Sequence, residues 1–142
     1  MRRLFIMRSD LNMSPGKLSA QVGHCAEIYW LNLIHKSTDK TLLGEDVSMT
    51  VCVPEDIINN YINDKITKTV CRAKNLYQLL KAKDKAIELG LVEGEDFGLI
   101  NDACLTELTP ENPDGTCTTG IWFKPLPDEI AHEISKKYQL YN

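Results

Sequence analysis

Apolar positions change period several times along this chain, and each change marks a switch between strand and helix. Leu4-Phe-Ile-Met7 is a continuous apolar run, as expected of a strand covered on both faces, and it predicts a first strand over about residues 3–9. The period then lengthens. Leu18, Val22, Cys25, Tyr29 and Leu33 recur at helical spacing, which predicts a long helix from Pro15 to about His35 with those positions toward the core. Ser14 suits its N-cap and Pro15 its first helical position. Lys36 to Asp46 is polar and reads as a loop, Ser48 to Val53 as a short strand, and Pro54 to Ile62 as a helix opened by proline. Thr67 to Ala73 is β-branched and strand-like, and Asn75 caps a helix that runs to Leu89 and stops at Gly90. Phe97 to Asn101 and Thr118 to Phe123 read as strands on either side of a Pro/Asn/Asp/Gly turn region at Thr109 to Gly115. Pro127 to Lys137 reads as a last helix.

This alternation predicts an α/β fold in one domain spanning residues 1–142, with a mixed β-sheet of about four to five strands flanked by helices on both faces. A polar loop of hairpin length joins the Phe97 and Thr118 strands, so at least one pair is expected to be antiparallel. No apolar run approaches the roughly 20 residues of a membrane span, and Met1-Arg-Arg-Leu-Phe-Ile-Met7 is too short for a signal peptide, so no membrane partner is expected. Cys25, Cys52, Cys71, Cys104 and Cys117 form an odd set without a CxxC pair. That argues against a disulfide framework and a zinc ribbon and favours the cytoplasm. His24, His35 and His132 offer no ligand spacing, so neither a metal nor another cofactor is expected.

A net charge of −4 argues mildly against a nucleic-acid partner, but the charge is unevenly spread. Lys65, Lys68, Arg72, Lys74, Lys81, Lys83 and Lys85 meet only Asp84 between residues 65 and 85, whereas acids dominate residues 86–142. Such separation gives an acidic protein one basic surface able to meet phosphates, or else simply solvates a helix face. Arg2, Arg3 and Arg8 either extend that surface or face elsewhere.

The candidate chemistry lies at the start of the long helix. Lys17, Gln21 and His24 stand at i, i+4 and i+7, which returns them to nearly one azimuth and forms a polar row. The row begins at a helix N-terminus that follows a strand and a short loop, where an anion or a developing oxyanion is favoured. The commoner role of a Lys and a Gln on a helix is solvation, and that of a lone His is structural.

The segment from Asp10 to His24, Asp-Leu-Asn-Met-Ser-Pro-Gly-Lys-Leu-Ser-Ala-Gln-Val-Gly-His, closely resembles the N-terminal signature of the archaeal and eukaryotic peptidyl-tRNA hydrolase 2 family. The resemblance continues at Thr67-Lys-Thr-Val-Cys-Arg72, at Asp102-Ala-Cys-Leu-Thr106 and, more loosely, from Cys117 to Pro125. It implies hydrolysis of the ester joining a peptide, or an N-blocked aminoacyl group, to the 3′ ribose of tRNA, which recycles tRNA in translation. A homodimer is implied as well. Carried over by position, it implies that Lys17 stabilises the oxyanion, that Asp102 orients Lys17 and the water, and that His24 transfers a proton or fixes the geometry. Gln21, Thr106 and Cys117 are then the substrate-positioning residues, and Lys65, Lys68, Arg72, Lys74 and Lys81 the expected tRNA contacts.

Four departures stand out. Residues 48–63 read as an added strand and helix where the family usually has a shorter connection; structural cover is favoured for it over a dimer contact or a tRNA arm. Cys104 replaces the usual glycine, and it reads as a structural thiol rather than a nucleophile. Glu107 replaces the usual glutamine. Cys117 replaces a site threonine, which leaves Thr118 or Thr119 to supply a hydroxyl unless both serve only the strand. These substitutions keep open a catalytically silent tRNA- or protein-binding module on the same fold, and, more weakly, a hydrolase for another acyl ester.

Overall fold

A computed structural model describes residues 1–142. Five strands, β1 (Arg3–Arg8), β4 (Lys68–Ala73), β5 (Phe97–Asp102), β6 (Cys117–Phe123) and β7 (Gln139–Leu140), form the main sheet in the order β5-β6-β1-β4-β7, and two more form a separate ribbon. In chain order, β1 (Arg3–Arg8) leads to α1 (Pro15–Lys36), and β2 (Lys40–Leu43) and β3 (Asp46–Met49) make the ribbon. A short α2 (Glu55–Ile57) then runs into a π-helical turn, Ile58–Ile62. β4 (Lys68–Ala73), α3 (Leu76–Glu88), β5 (Phe97–Asp102), β6 (Cys117–Phe123), α4 (Asp128–Ser135) and β7 (Gln139–Leu140) complete the chain. β1 pairs in parallel with β4, while β1–β6, β5–β6 and β4–β7 are antiparallel, so the sheet is mixed as expected.

The continuous apolar run of β1 is explained by its central place. Leu4 and Ile6 face α3 and α4 across a core that includes Leu79, Ala82, Phe97, Ile121, Phe123 and Ile134. Phe5 and Met7 face α1 and the π-turn across a second core with Cys25, Tyr29, Ile57, Tyr61 and Trp122. Each fully buried Leu, Ile or Phe of this kind contributes roughly 1.5–3 kcal/mol. Gly120 lets β6 lie close to β1, since a Cβ there would meet Met7 Sδ at 2.5 Å and the Ile6 carbonyl at 2.9 Å.

The arginines of the first strand do not join the basic surface. Arg3 is fully buried and donates to the carbonyls of Phe123, Cys25 and Ala26, pinning α1 to the sheet with Tyr29 and Trp30 beside it. Arg2 pairs with the exposed Asp128, and the buried Arg8 pairs with Asp10 and Glu111.

The segment after α1 differs from expectation. The stretch read as a loop is half of a β-hairpin, closed by a two-residue loop with Gly44 at φ +65°, and the strand ends at Met49 rather than Val53. Alternating side chains in a two-stranded ribbon give little periodic signal, and Leu42, Leu43 and Val47 remain exposed. In the helical half, Ile57 and Tyr61 are buried in the core beside α1, and Tyr61 stacks on Trp30. β7 was not expected at all; two residues are too few to show a period.

Candidate active site

β1, β4 and β5 all run the same way, so their carboxyl ends share one end of the sheet with the starts of β6 and β7. The loop after β1 turns there through Asn12, at φ 49°, a conformation that Asn tolerates better than most residues. Ser14 then caps α1, its hydroxyl accepting from the Lys17 backbone N–H at 3.2 Å. This brings the first turn of the helix against the end of β5.

Four of the expected residues meet. Lys17 Nζ donates to Asp102 Oδ1 at 2.8 Å and to Thr106 Oγ1 at 3.2 Å, and Gln21 Nε2 donates to the same Asp102 oxygen at 3.0 Å. The other Asp102 oxygen accepts the Cys104 backbone N–H at 2.9 Å. Burial pushes the Asp102 carboxyl up, but the hydrogen bonds from Lys17, the Cys104 amide and Gln21, with the charge of Lys17, outweigh it and hold the group below its ordinary range. Lys17 and Asp102 side chains are only 13% and 12% exposed, so little solvent dilutes the pair. The ammonium retains a third N–H that none of these partners takes.

Two expected residues stand apart. His24 is exposed and shares no hydrogen bond with this cluster. Seven residues restore azimuth but advance about 10 Å along a helix, so His24 lies some two turns above Lys17. Cys117 is fully buried with Met13 and Leu108, and burial pushes its thiol up to about 11. It offers no surface to a substrate. The hydroxyl near the site comes instead from Thr119, which donates to Gln21 Oε1 at 2.6 Å, while Thr118 bonds Asn101.

Two departures acquire a physical explanation. Cys104 has φ 58°, a left-handed conformation that costs any side chain but suits glycine, and this backbone turns its N–H toward Asp102. Glu107 accepts from Ser14, from its backbone N–H at 2.8 Å and its hydroxyl at 2.6 Å, and those bonds hold its carboxyl below the usual range. Its charge is thus spent on the positive end of α1, a contact 93 residues apart in sequence that no local pattern shows.

The basic residues divide between the two ends of the sheet. Lys65 and Lys68 stand at the beginning of β4, beside Arg3, whereas Arg72 and Lys74 stand at its carboxyl end. The strand separates the two groups by roughly 17 Å. Arg72, Lys74, Gln78, Lys137 and Gln139 line a cleft of about 120 Å³ with no acid in it. Arg72, Lys74, Lys81 and Lys137 pair with no carboxylate, while Lys83 and Lys85 are neutralised by Glu93 and Glu88. A larger cleft of about 450 Å³ between α3 and α4 mixes both signs and includes neither Lys17 nor Asp102. There are no groups of three or more His, Cys, Asp or Glu placed to hold a metal ion, and no helix is long and apolar enough to cross a membrane.

The family model described as peptidyl-tRNA hydrolase PTH2 matches residues 1–141. The chain belongs to the peptidyl-tRNA hydrolase PTH2 family. Curated relatives named peptidyl-tRNA hydrolase include one from Sulfolobus acidocaldarius, 32% identical over 99% of both chains. Another, from Metallosphaera sedula, is 28% identical over 99% of both. Among solved structures, a protein of unknown function from Agrobacterium tumefaciens strain C58 is similar with a TM-score of 0.54 over 99% of this chain and 97% of the other. At 12% identity that likeness concerns the fold alone.

Proposed function

We propose that this chain hydrolyses the ester between a peptide, or an N-blocked aminoacyl group, and the 3′ ribose of tRNA. The observation that carries the reading is the Lys17 ammonium, held by Asp102 at 2.8 Å and Thr106 at 3.2 Å with one donor to spare. A carbonyl under attack by water develops negative charge on its oxygen, and a fixed, partly desolvated ammonium at a helix N-terminus stabilises that charge. Water adds to the carbonyl carbon, the bond to the ribose oxygen breaks, and that oxygen leaves with a proton as the 3′ hydroxyl. Asp102 accepts from three donors and is held in its charged form, which suits positioning of Lys17 and of the water better than abstraction of a proton. Proton delivery to the leaving oxygen then falls to solvent or, through solvent, to His24 at the rim; retained turnover in His24→Ala would leave it to solvent.

On the tRNA side, Arg72, Lys74 and Lys81 are the proposed phosphate contacts, with Lys137 added. Arg72, Lys74 and Lys137 are supported by a shared cleft at the carboxyl end of β4 with no acid in it, whereas Lys81, on α3, lines the neighbouring cleft of mixed charge and is supported only by pairing with no carboxylate. Strand spacing sets Lys74 roughly 14 Å from Asp102, within reach of one bound 3′ end. Lys65 and Lys68, at the other end of the sheet, would meet only a more distant part of the tRNA. A homodimer, which the family resemblance implies, is to be read by light scattering. Cytoplasmic residence is supported by five cysteines that all stand free.

The test is release of the acyl group from an N-acetylated aminoacyl-tRNA, with the unblocked aminoacyl-tRNA as control. Selective cleavage, lost in Lys17→Ala and Asp102→Ala and weakened by salt through the tRNA contacts, is the expected result. Binding without cleavage would instead establish a silent tRNA-binding module.

A further inference from the structure

The ribbon of β2 and β3 contributes no residue to any apolar core. All of it but Met49 is exposed, with Leu42 at 77%, Leu43 at 60% and Val47 at 50%. It is fastened at its base, where the Ser37 hydroxyl donates to the Thr50 carbonyl at 2.6 Å and the Thr50 hydroxyl to Asp39 at 3.0 Å. Two strands alone are marginal in water; three or more with an apolar face are needed for independent stability. We propose that the ribbon is a self-association surface, in which β2 pairs antiparallel with β2 of a second copy of this chain, centred on Leu42, to make a four-stranded sheet. The ribbon lies between α1 and β4, where the family usually has a shorter connection, so this contact is separate from the homodimer that the resemblance implies.

The phase of the hairpin shows which backbone groups are free. A two-residue loop is closed by a hydrogen-bonded pair, here Leu43 and Asp46, and bonded and non-bonded pairs then alternate. Leu42 opposite Val47 and Lys40 opposite Met49 are thus the non-bonded pairs, and the Thr50 N–H bound to the Asp39 carbonyl at 3.0 Å keeps the same phase. The N–H and C=O of Lys40 and Leu42 therefore point away from β3, and no segment outside the ribbon bonds them. With Leu42 opposite Leu42 of the second copy, the two exchange both N–H···O bonds, and a two-fold axis through that pair repeats every contact.

Side chains select this edge and this partner. Leu42 and Val47 share a face of the ribbon with Met49 and Lys40, and directly opposed residues share a face, so the four strands carry Leu42, Val47 and Met49 of both copies on one side. Lys40 is the only charge on β2, the usual guard of an open edge. In this register it comes opposite Gly44 of the second copy and beside Glu45 there, so the guard against other strands becomes half of an ion pair with this one. The edge of β3 carries Asp46, next to Glu45, and no base, so self-pairing there finds no opposite charge. Asp39, Glu45 and Asp46 against the one Lys40 turn away a nucleic acid or an anionic membrane.

Cross-linking reads the register. With the exposed Cys52 replaced by serine, Leu42→Cys sets two thiols on Cα atoms about 5.5 Å apart, inside disulfide range. Thr41→Cys lies opposite Leu43 of the second copy and roughly 8 Å from its own counterpart, outside that range. Leu42→Cys should link into disulfide pairs at micromolar concentration and Thr41→Cys should not. Light scattering reads the contact itself. Leu42→Lys and Leu42→Glu each set like charges across the axis and should raise the dissociation constant about tenfold, while an equimolar mixture of the two should restore the wild-type mass. Residue 42 linking no better than residue 41, or a mass that Leu42→Lys leaves unchanged, would overturn the proposal. Neither readout uses tRNA, so failure of the hydrolytic reading leaves both intact.

Discussion

Arg8 and Lys17 stand at the same end of the sheet, each a largely buried cation held by carboxylates, yet they are used differently. Arg8 engages Asp10 and Glu111 through two bonds each and the Thr118 carbonyl through one, which matches the five N–H groups of a guanidinium. Its charge is fully spent on tying the loops after β1 and β5 to the sheet. Lys17 has three N–H groups and gives two of them to Asp102 and Thr106. Burial and charge are therefore poor guides to chemistry here; the count of unspent donors separates the structural cation from the chemical one.

The comparison is broken most sharply by giving both cations the same replacement. Lys17→Met should lower kcat by about 10²–10³-fold, the usual cost of losing an oxyanion donor, with a small change in melting temperature. Arg8→Met should do the reverse. Asp10 and Glu111 are 35% and 39% exposed, so solvent screens the abandoned acids, and a loss of about 1–3 kcal/mol in stability is expected with turnover per folded molecule kept. Thermal melts beside single-turnover kinetics measure both. A folded Arg8→Met that no longer turns over would erase the distinction.

A smaller effect is expected from titrating Asp102. Its carboxyl in the folded chain lies below the ordinary value, about 3.9 in an unfolded chain. The stability it contributes is thus fully present above that unfolded value and is lost as pH falls through the lower folded one. Lys17 stays anchored through mild acid, and kcat/KM should show no acid limb from Asp102 near pH 4. The melting-temperature gap between wild type and Asp102→Asn should be constant from pH 7 to 5 and should close below pH 4. Taking the difference removes the parallel titration of Glu107 and Glu111, whose carboxyls are also held low. A gap that widens in acid would mean that Asp102 is not the charged partner of Lys17.

How much of this was legible in the sequence follows from how local each signal is. The buried β1, the long α1 and the α3 cap at Asn75 depend on period and on single residues, and they stand within a residue or two of where the pattern places them. Lys17, Gln21, Asp102 and Thr106 were legible through the family's signature, and the first two also through helical spacing. Their grouping with His24 failed because azimuth ignores rise along the axis. Cys117 is buried and Thr119, of the two threonines offered in its place, meets Gln21, because a register shift opposite Ile100 and Asn101 changes which face a residue meets, and no local pattern announces one. The basic segment misled for a related reason: its charges are close in sequence, but β4 carries them to opposite ends.

The smallest expected effect concerns the loop that holds Asp102 for Lys17. Cys104 sits at φ 58°, where a side chain costs roughly 1–2 kcal/mol. Glycine avoids that cost but has more freedom to lose on folding, by roughly 0.5–1 kcal/mol. Cys104→Gly should therefore stabilise the protein by about 0.5–1 kcal/mol, read as a higher melting temperature. The bond from residue 104 to the Asp102 carboxylate is made by the backbone N–H and survives the change, while only the long thiol contact to the Asp102 carbonyl, 3.5 Å, is lost, so kcat should hold. If stability rises and kcat falls, the Cys104 side chain, which packs beside Cys117, Met13 and Leu108, is part of what keeps Asp102 still. The count of donors would then be an incomplete account of Lys17, and the rigidity of its partner's loop would have to be added to it.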